Sequence, residues 1–216
     1  LLSEGALLRV AECVQAHPET RLIYSDEDKV DAAGTRSDPY FKPDWNLDLF
    51  RSQNMFSHLG VLATELVREV GGFRQGLEGS QDWDLVLRCI ERVRPDQVRH
   101  IPRVLYHWRV HEESTARSMN AKPYAAVAGE RALNEHYARL GIAAQAEYIG
   151  YGYRTRFALP EPPPLVSIVI PTRNAQALVR QCIESIRRKT RYPNYEIILV
   201  DNGSDDAAAL AYFAQL

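Results

Sequence analysis

VSIVIPTRN, residues 166–174, is a short unbroken apolar run, rich in β-branched residues, that stops at a proline-containing turn. Such a run fits a buried parallel strand entering a loop. Beyond it, Leu178, Cys182 and Ile186 recur at i, i+4 and i+8 with Val179 and Ile183 beside them, which predicts a helix packing one broad apolar face on a sheet. YEIILV, residues 195–200, is then a second strand, and it ends abruptly in Asp201, Asn202, Gly203 and Ser204. Strand, helix and strand in this order open an α/β domain. The order puts the Asp201 carboxylate at the carboxyl edge of a parallel strand, where open α/β sheets bind ligands. The competing role for Asp201 and Asn202 is a turn that caps the next helix.

Working back from this unit, residues 158–165 (ALPEPPPL) hold four prolines in eight positions. Proline removes amide donors and forbids helix, so this stretch reads as an interdomain spacer. The segment before it reads as mixed α/β. A helix over 3–15 leads to a strand at 21–24, which runs into Ser25, Asp26, Glu27, Asp28 and Lys29. A loop over 38–46, a strand over 55–63 and a short helix over 64–70 stopping at Gly71-Gly72 come next. Ser80 is placed to cap a helix whose first turn holds Gln81, Asp82, Trp83 and Asp84. Strands at 98–102 and 104–108 lead to His111, and a long helix is predicted over 123–140.

Composition excludes several classes. A net charge of -2 with scattered Lys and Arg gives no electrostatic footprint for nucleic acid, and no basic amphipathic stretch marks a membrane binder. Cys13, Cys89 and Cys182 are odd in number and widely spaced, so they are expected to be reduced core thiols of a cytoplasmic protein and not a disulfide or zinc framework. No signal peptide and no apolar run of transmembrane length is recognised. The expected location is therefore cytoplasmic, with attachment at the inner face of the membrane left to a partner or a lipid-linked substrate.

VSIVIPTRN, the helix and YEIILVDNGSDD together resemble the nucleotide-binding opening of family 2 glycosyltransferases, which have the GT-A fold and use nucleotide-sugar donors. The first segment is similar to the half that follows. LIYSDEDK (22–29), FKPDWN (41–46), EVGGF (69–73), GSQDWDLVLR (79–88) and IPRVLYHWRVH (101–111) look like consecutive landmarks of a tandem-module subgroup that builds bacterial surface polysaccharides such as O-antigen and rhamnan chains. The resemblance implies a Rossmann-like GT-A sheet flanked by helices, incomplete or permuted. Residues 1–157 would be the acceptor-side half of one module, 158–165 the linker, and 166–216 the nucleotide-binding unit of the next, so the chain would be a fragment.

The resemblance also distributes roles. Pro171, Thr172 and Arg173 would line the base and ribose pocket, and Asp201 would accept from a ring N–H of the nucleobase. Asp82 would be the catalytic base, and a helix start favours a carboxylate there. Asp84, Trp83, Asp26 and Asp28 are the acceptor-side candidates, Trp83 because aromatic faces stack on sugar rings. Asp82 and Asp84 are equally readable as helix-start acids, and Trp83 as core. Asp26-x-Asp28 is in isolation a Mg or Mn pair, but the family's metal-binding Asp-x-Asp sits on an earlier strand. His111 resembles a histidine that completes metal or diphosphate binding, with His107 as its alternative. The implied function is an inverting hexosyltransferase using a UDP- or dTDP-sugar, a divalent cation, and a polysaccharide or lipid-linked acceptor. The alternatives are a noncatalytic sugar-binding or assembly segment and a GT-A-like nucleotidyltransferase. Unpaired edges of the strands at 166–170 and 195–200 lead to two further expectations: pairing with the sheet of residues 20–110, and a homodimer formed through those edges.

Overall fold

The computed structural model describes residues 1–110 and 123–216, in two compact units, Leu1–Ala158 and Leu159–Leu216. The first is organised around strand β1 (Leu22–Val30), which is flanked on both edges. Strand β4 (Val98–Arg109) runs parallel to its full length. On the other edge, β3 (Gly60–Leu62) pairs antiparallel with the start of β1 and β2 (Arg36–Tyr40) with its end.

Side chains alternate across this sheet. Leu22 and Tyr24 point into the larger core with Phe50, Phe56, Trp83 and Leu87, while Ile23 joins Ala6, Ile101 and Leu105 on the other face. Helix α1 (Ala6–Ala16) supplies that second layer. The first layer is built from α3 (Thr64–Glu69) and α4 (Gln81–Ile90), preceded by the single-turn α2 (Leu47–Phe50), and from α5 (Pro123–Arg139) packed on α4. A hairpin of β5 (Ala144–Tyr148) and β6 (Tyr153–Phe157) closes the unit against α5.

In the second unit, β7 (Val166–Thr172) and β8 (Tyr195–Asp201) are a parallel pair joined by α6 (Gln176–Lys189), with α7 (Ala207–Phe213) after them. Val179 and Ile183 of α6 are buried, whereas Leu178 and Cys182, the first two of the predicted i, i+4, i+8 positions, are exposed.

Three expectations for the first unit are corrected. The acids 26–28 do not follow the strand but lie within it, because β2 and β4 both pair beyond Tyr24. The two strands predicted at 98–102 and 104–108 are one, and the interruption at Pro102 is absorbed as a bulge: Ser25 faces Ile101 and Asp26 faces Val104. Only Gly60–Leu62 of the predicted 55–63 strand is formed. Within the second unit, β7 and β8 pair with each other in a two-stranded sheet. Of the cysteines, Cys89 is buried, with its thiol pushed up to about 11 by burial, but Cys182 is exposed.

Candidate functional site

The buried end of β1 is where sequence and geometry part most clearly. Asp26 is 3% exposed and its Oδ1 accepts from the Lys42 backbone N–H at 2.9 Å, while His100 Nε2 stands 2.9 Å from the same oxygen. Asp28 faces His107 Nδ1 at 2.5 Å through one oxygen and Arg36 Nε at 2.6 Å through the other. Burial works to raise its pKa, and the bonds from His107 and Arg36 outweigh that and hold the carboxyl below the usual range. Glu27, on the opposite face, accepts the His58 N–H at 2.7 Å, with His58 Nδ1 also at 2.7 Å and Lys42 Nζ at 3.8 Å. Asp26 and Asp28, expected on the acceptor side, are here locks of the fold. Both oxygens of Asp28 and the Oδ1 of Asp26 already face N–H groups or imidazole nitrogens of the protein. Among the described residues no group of three or more His, Cys, Asp or Glu is arranged to hold a metal. His111 lies outside the described residues, and its alternative, His107, is committed to Asp28.

The start of α4 gives three neighbouring residues three different settings. Ser80 makes no side-chain cap; its hydroxyl instead donates to Ala125 O at 2.8 Å and ties α4 to α5. Asp82 is half-buried in the first turn, and its Oδ2 accepts from Asn54 Nδ2 at 3.0 Å. Trp83 is 2% exposed, donates through Nε1 to Phe50 O at 3.1 Å and packs on Phe50 and Tyr153. Asp84 is fully buried between Arg74 and Arg88. Burial raises the pKa of its carboxyl, and the two guanidinium groups overcome that and lower it. Trp83 and Asp84, expected to contact an acceptor, are here engaged in packing and in ion pairing.

A turn that sequence inspection passed over joins these two places. Asn54 holds Asp82 with its amide and accepts Phe56 N–H at 3.2 Å with its carbonyl, and its backbone carbonyl accepts the Ser57 hydroxyl. The Lys42 side chain is wholly buried; its Nζ donates to Ser57 O at 2.8 Å and His58 O at 2.9 Å beside Glu27. Burial pulls this amine down to about 8, with Glu27 and Asp26 pulling the other way. FKPDWN is visible as a motif, but nothing in it tells that Lys42 turns inward. Arg88 was findable, because it stands four residues after Asp84 on a helix.

In the second unit the two strand ends lie side by side, Thr172 in register with Asp201. Asn174 stitches them: its Oδ1 accepts the N–H groups of Asp205 and Asp206, and its Nδ2 donates to Asp205. It holds a left-handed backbone, φ 56°, which asparagine tolerates. Asp201 is exposed and accepts from the Ser204 N–H and hydroxyl, making a turn, while Asp206 caps α7. Pro171 and Arg173 are exposed at the same edge, Arg173 within 3.9 Å of Asp205. Asp82 and the Asp201 edge are thus features of separate units. Two cavities of the first unit, beside Arg51 and beside Trp45, are lined by residues other than Asp82.

A mixed sheet flanked by helices, with a parallel pair whose carboxyl ends carry polar turns, is the architecture of the GT-A-like α/β proteins. Residues 167–214 match the model of the glycosyl transferase family 2. The whole chain is 50% identical to the uncharacterized protein y4gI of Sinorhizobium fredii, covering 24% of it. It is also 40% identical, over 99% of its length, to the O-antigen biosynthesis protein RfbC of Myxococcus xanthus, covering 17% of that protein. The chain therefore spans a quarter or less of these curated relatives. No helix among the described residues is long and apolar enough to cross a membrane.

Proposed function

We propose that this chain is part of an inverting glycosyltransferase that moves a sugar from a nucleotide-sugar to a growing surface polysaccharide or lipid-linked oligosaccharide, at the cytoplasmic side of the membrane. In this reading residues 1–157 are the acceptor-side half of one module, 158–165 the spacer, and 166–216 the nucleotide-binding opening of the next. Pro171, Thr172, Arg173 and Asp201 would receive a UDP or dTDP moiety. The carrying observation is Asp82: alone among the acids of GSQDWD it is accessible at the head of a helix, held by one neutral amide. An acceptor hydroxyl would give its proton to that carboxylate as its oxygen bonds to the anomeric carbon, and the bond from that carbon to the nucleoside diphosphate breaks. Asn54 would fix the carboxylate's direction without neutralising it.

The test is transfer by the longer natural protein. A well-placed general base contributes about 10²–10⁴-fold, so Asp82→Asn should lower kcat by that much with donor KM unchanged. Undiminished transfer would remove Asp82 from the role.

One observation favours the second reading, a noncatalytic sugar-binding or assembly segment: both oxygens of Asp28 and the Oδ1 of Asp26 are already engaged by protein groups. Calorimetric titration of UDP into this chain with and without Mn separates the two, since metal-dependent binding opposes the noncatalytic reading. A homodimer through the open edges of β7 and β8 would appear in sedimentation as a doubled mass.

A further inference from the structure

A cavity of about 260 Å³ opens in the first unit between the end of α2 and the β5–β6 hairpin. Its walls combine two kinds of chemistry. Phe157 is 54% exposed and offers an aromatic face, standing 6.0 Å from the Tyr137 ring. Around it are the Thr155 hydroxyl, which pairs with Tyr137 OH at 2.8 Å, the Arg51 guanidinium and the exposed Asp48 carboxylate.

Arg51 is fixed without being neutralised. It lies 5.4 Å above the Tyr137 ring, and its Nε and Nη2 each stand 3.3 Å from His136 Nε2, whose other nitrogen faces Glu91 at 2.7 Å. Among the described residues no carboxylate pairs with it, which leaves guanidinium N–H groups available at the cavity. An apolar ligand would strip water from Arg51 and Asp48 without replacing it. A phosphate would meet the Asp48 charge. A pyranose suits both walls, since its C–H face stacks on an aromatic ring and its hydroxyls both donate and accept. The volume is below the roughly 300–1,000 Å³ of a site for a drug-sized ligand, which limits the occupant to a single ring.

The position is as informative as the lining. Ser52 O accepts the Tyr153 N–H at 2.9 Å, which pins the segment after α2 to the hairpin. Two residues further along, Asn54 donates to Asp82. One short segment thus serves the cavity and the candidate base in turn. We propose that this cavity holds a neutral sugar residue of the acceptor chain, at a remove from the residue that is extended. That it is an acceptor subsite rests on the glycosyltransferase reading; that it binds a sugar does not.

Saturation-transfer NMR on the 216-residue chain tests it, with methyl α-D-mannopyranoside, methyl α-L-rhamnopyranoside, methyl β-D-glucopyranoside and methyl β-D-galactopyranoside as probes. At least one should receive saturation at its ring protons. Phe157→Ala and Arg51→Gln should each reduce that transfer several-fold, and Phe157→Tyr should keep it. No transfer to any of the four, or transfer that survives both Phe157→Ala and Arg51→Gln, overturns the proposal. If Asp82→Asn spares transfer by the longer protein while Phe157→Ala and Arg51→Gln each weaken sugar binding here, the base assignment falls and this site stands.

Discussion

Two strands of this chain run into acids and end in opposite conditions. On β1, Asp26 and Asp28 sit between two neighbouring strands, and every carboxylate there meets a cation, an imidazole or an amide. On β8, Asp201 is the last residue of a strand with one neighbour; it is exposed, and among the described residues its carboxylate is engaged with Ser204 of its own turn. A carboxylate inside a sheet must be satisfied by the protein, because burying it unpaired costs several kcal/mol. At an open edge water does this, and a ligand can take water's place. What flanks a strand, and not the acids it carries, decides whether they are structural or available.

The largest break in this contrast should come from Asp84, the most completely enclosed acid of the first unit. Removing one partner of a buried ion pair costs about 3–5 kcal/mol. Asp84→Ala should cost that much, since Arg88 would keep only Val70 O and Gly72 O and Arg74 only Glu135. Urea unfolding followed by tryptophan fluorescence reads it cleanly, because Trp45, Trp83 and Trp108 all lie in the first unit. A loss under about 1 kcal/mol would place this pair with the weak surface ion pairs.

Acid should act through the same groups together. Asp28, Asp84 and Glu91 are held below their ordinary values by His107 and Arg36, by Arg74 and Arg88, and by His136 and Arg139, each against the raising effect of burial. A depressed carboxyl stabilises the fold fully above its unfolded value and loses that contribution as pH falls through the folded one. Stability of the first unit should therefore decline from about pH 5 downward. Tryptophan-detected urea midpoints that stay flat from pH 6 to pH 3 would contradict the pairing.

The sequence carried the elements better than their surroundings. VSIVIPTRN and YEIILV were readable because an apolar run bounded by turn residues has few other solutions, and α4 because its apolar body follows a polar first turn. The hairpin of β5 and β6 was not, since AQAEY and YRTRF alternate weakly and draw their order from α5. At the site, spacing located Asp82 and Asp84 but not their difference. That difference depends on Arg74, ten residues upstream, and Asn54, far earlier, reaching the same helix start. Asn174 likewise looks like one more turn residue until its partners across the strand ends are seen.

A smaller effect is expected at high pH. Burial holds the Lys42 amine near 8, so between there and its unfolded value the unfolded chain binds more protons and stability rises with pH; below 8 the cost of burying the charge is fully present. Cys89, with its thiol pushed up to about 11, contributes the opposite slope over part of that window. The measurement is therefore the difference between the wild type and Lys42→Met, from pH 8 to about 9.5, below the tyrosine range. The wild type should gain relative to the variant as pH rises. Parallel curves would mean that the amine keeps an ordinary affinity for its proton despite its enclosure.

The smallest effect on the fold should be at Asp201, and this would sharpen the comparison most. Asp201→Asn keeps an acceptor for the Ser204 N–H and loses no ion pair, so thermal unfolding of the second unit, followed by its tyrosines, should not move. If the edge is a nucleotide site, the same change should be felt there. A carboxylate accepting from a base N–H contributes about 1.5–3 kcal/mol, so UDP affinity should fall roughly 10-fold or more. An unchanged melt with weakened UDP binding would show an acid left free by the architecture for a ligand. A lowered melt with unchanged binding would reverse the assignment and put Asp201 with the locks of β1.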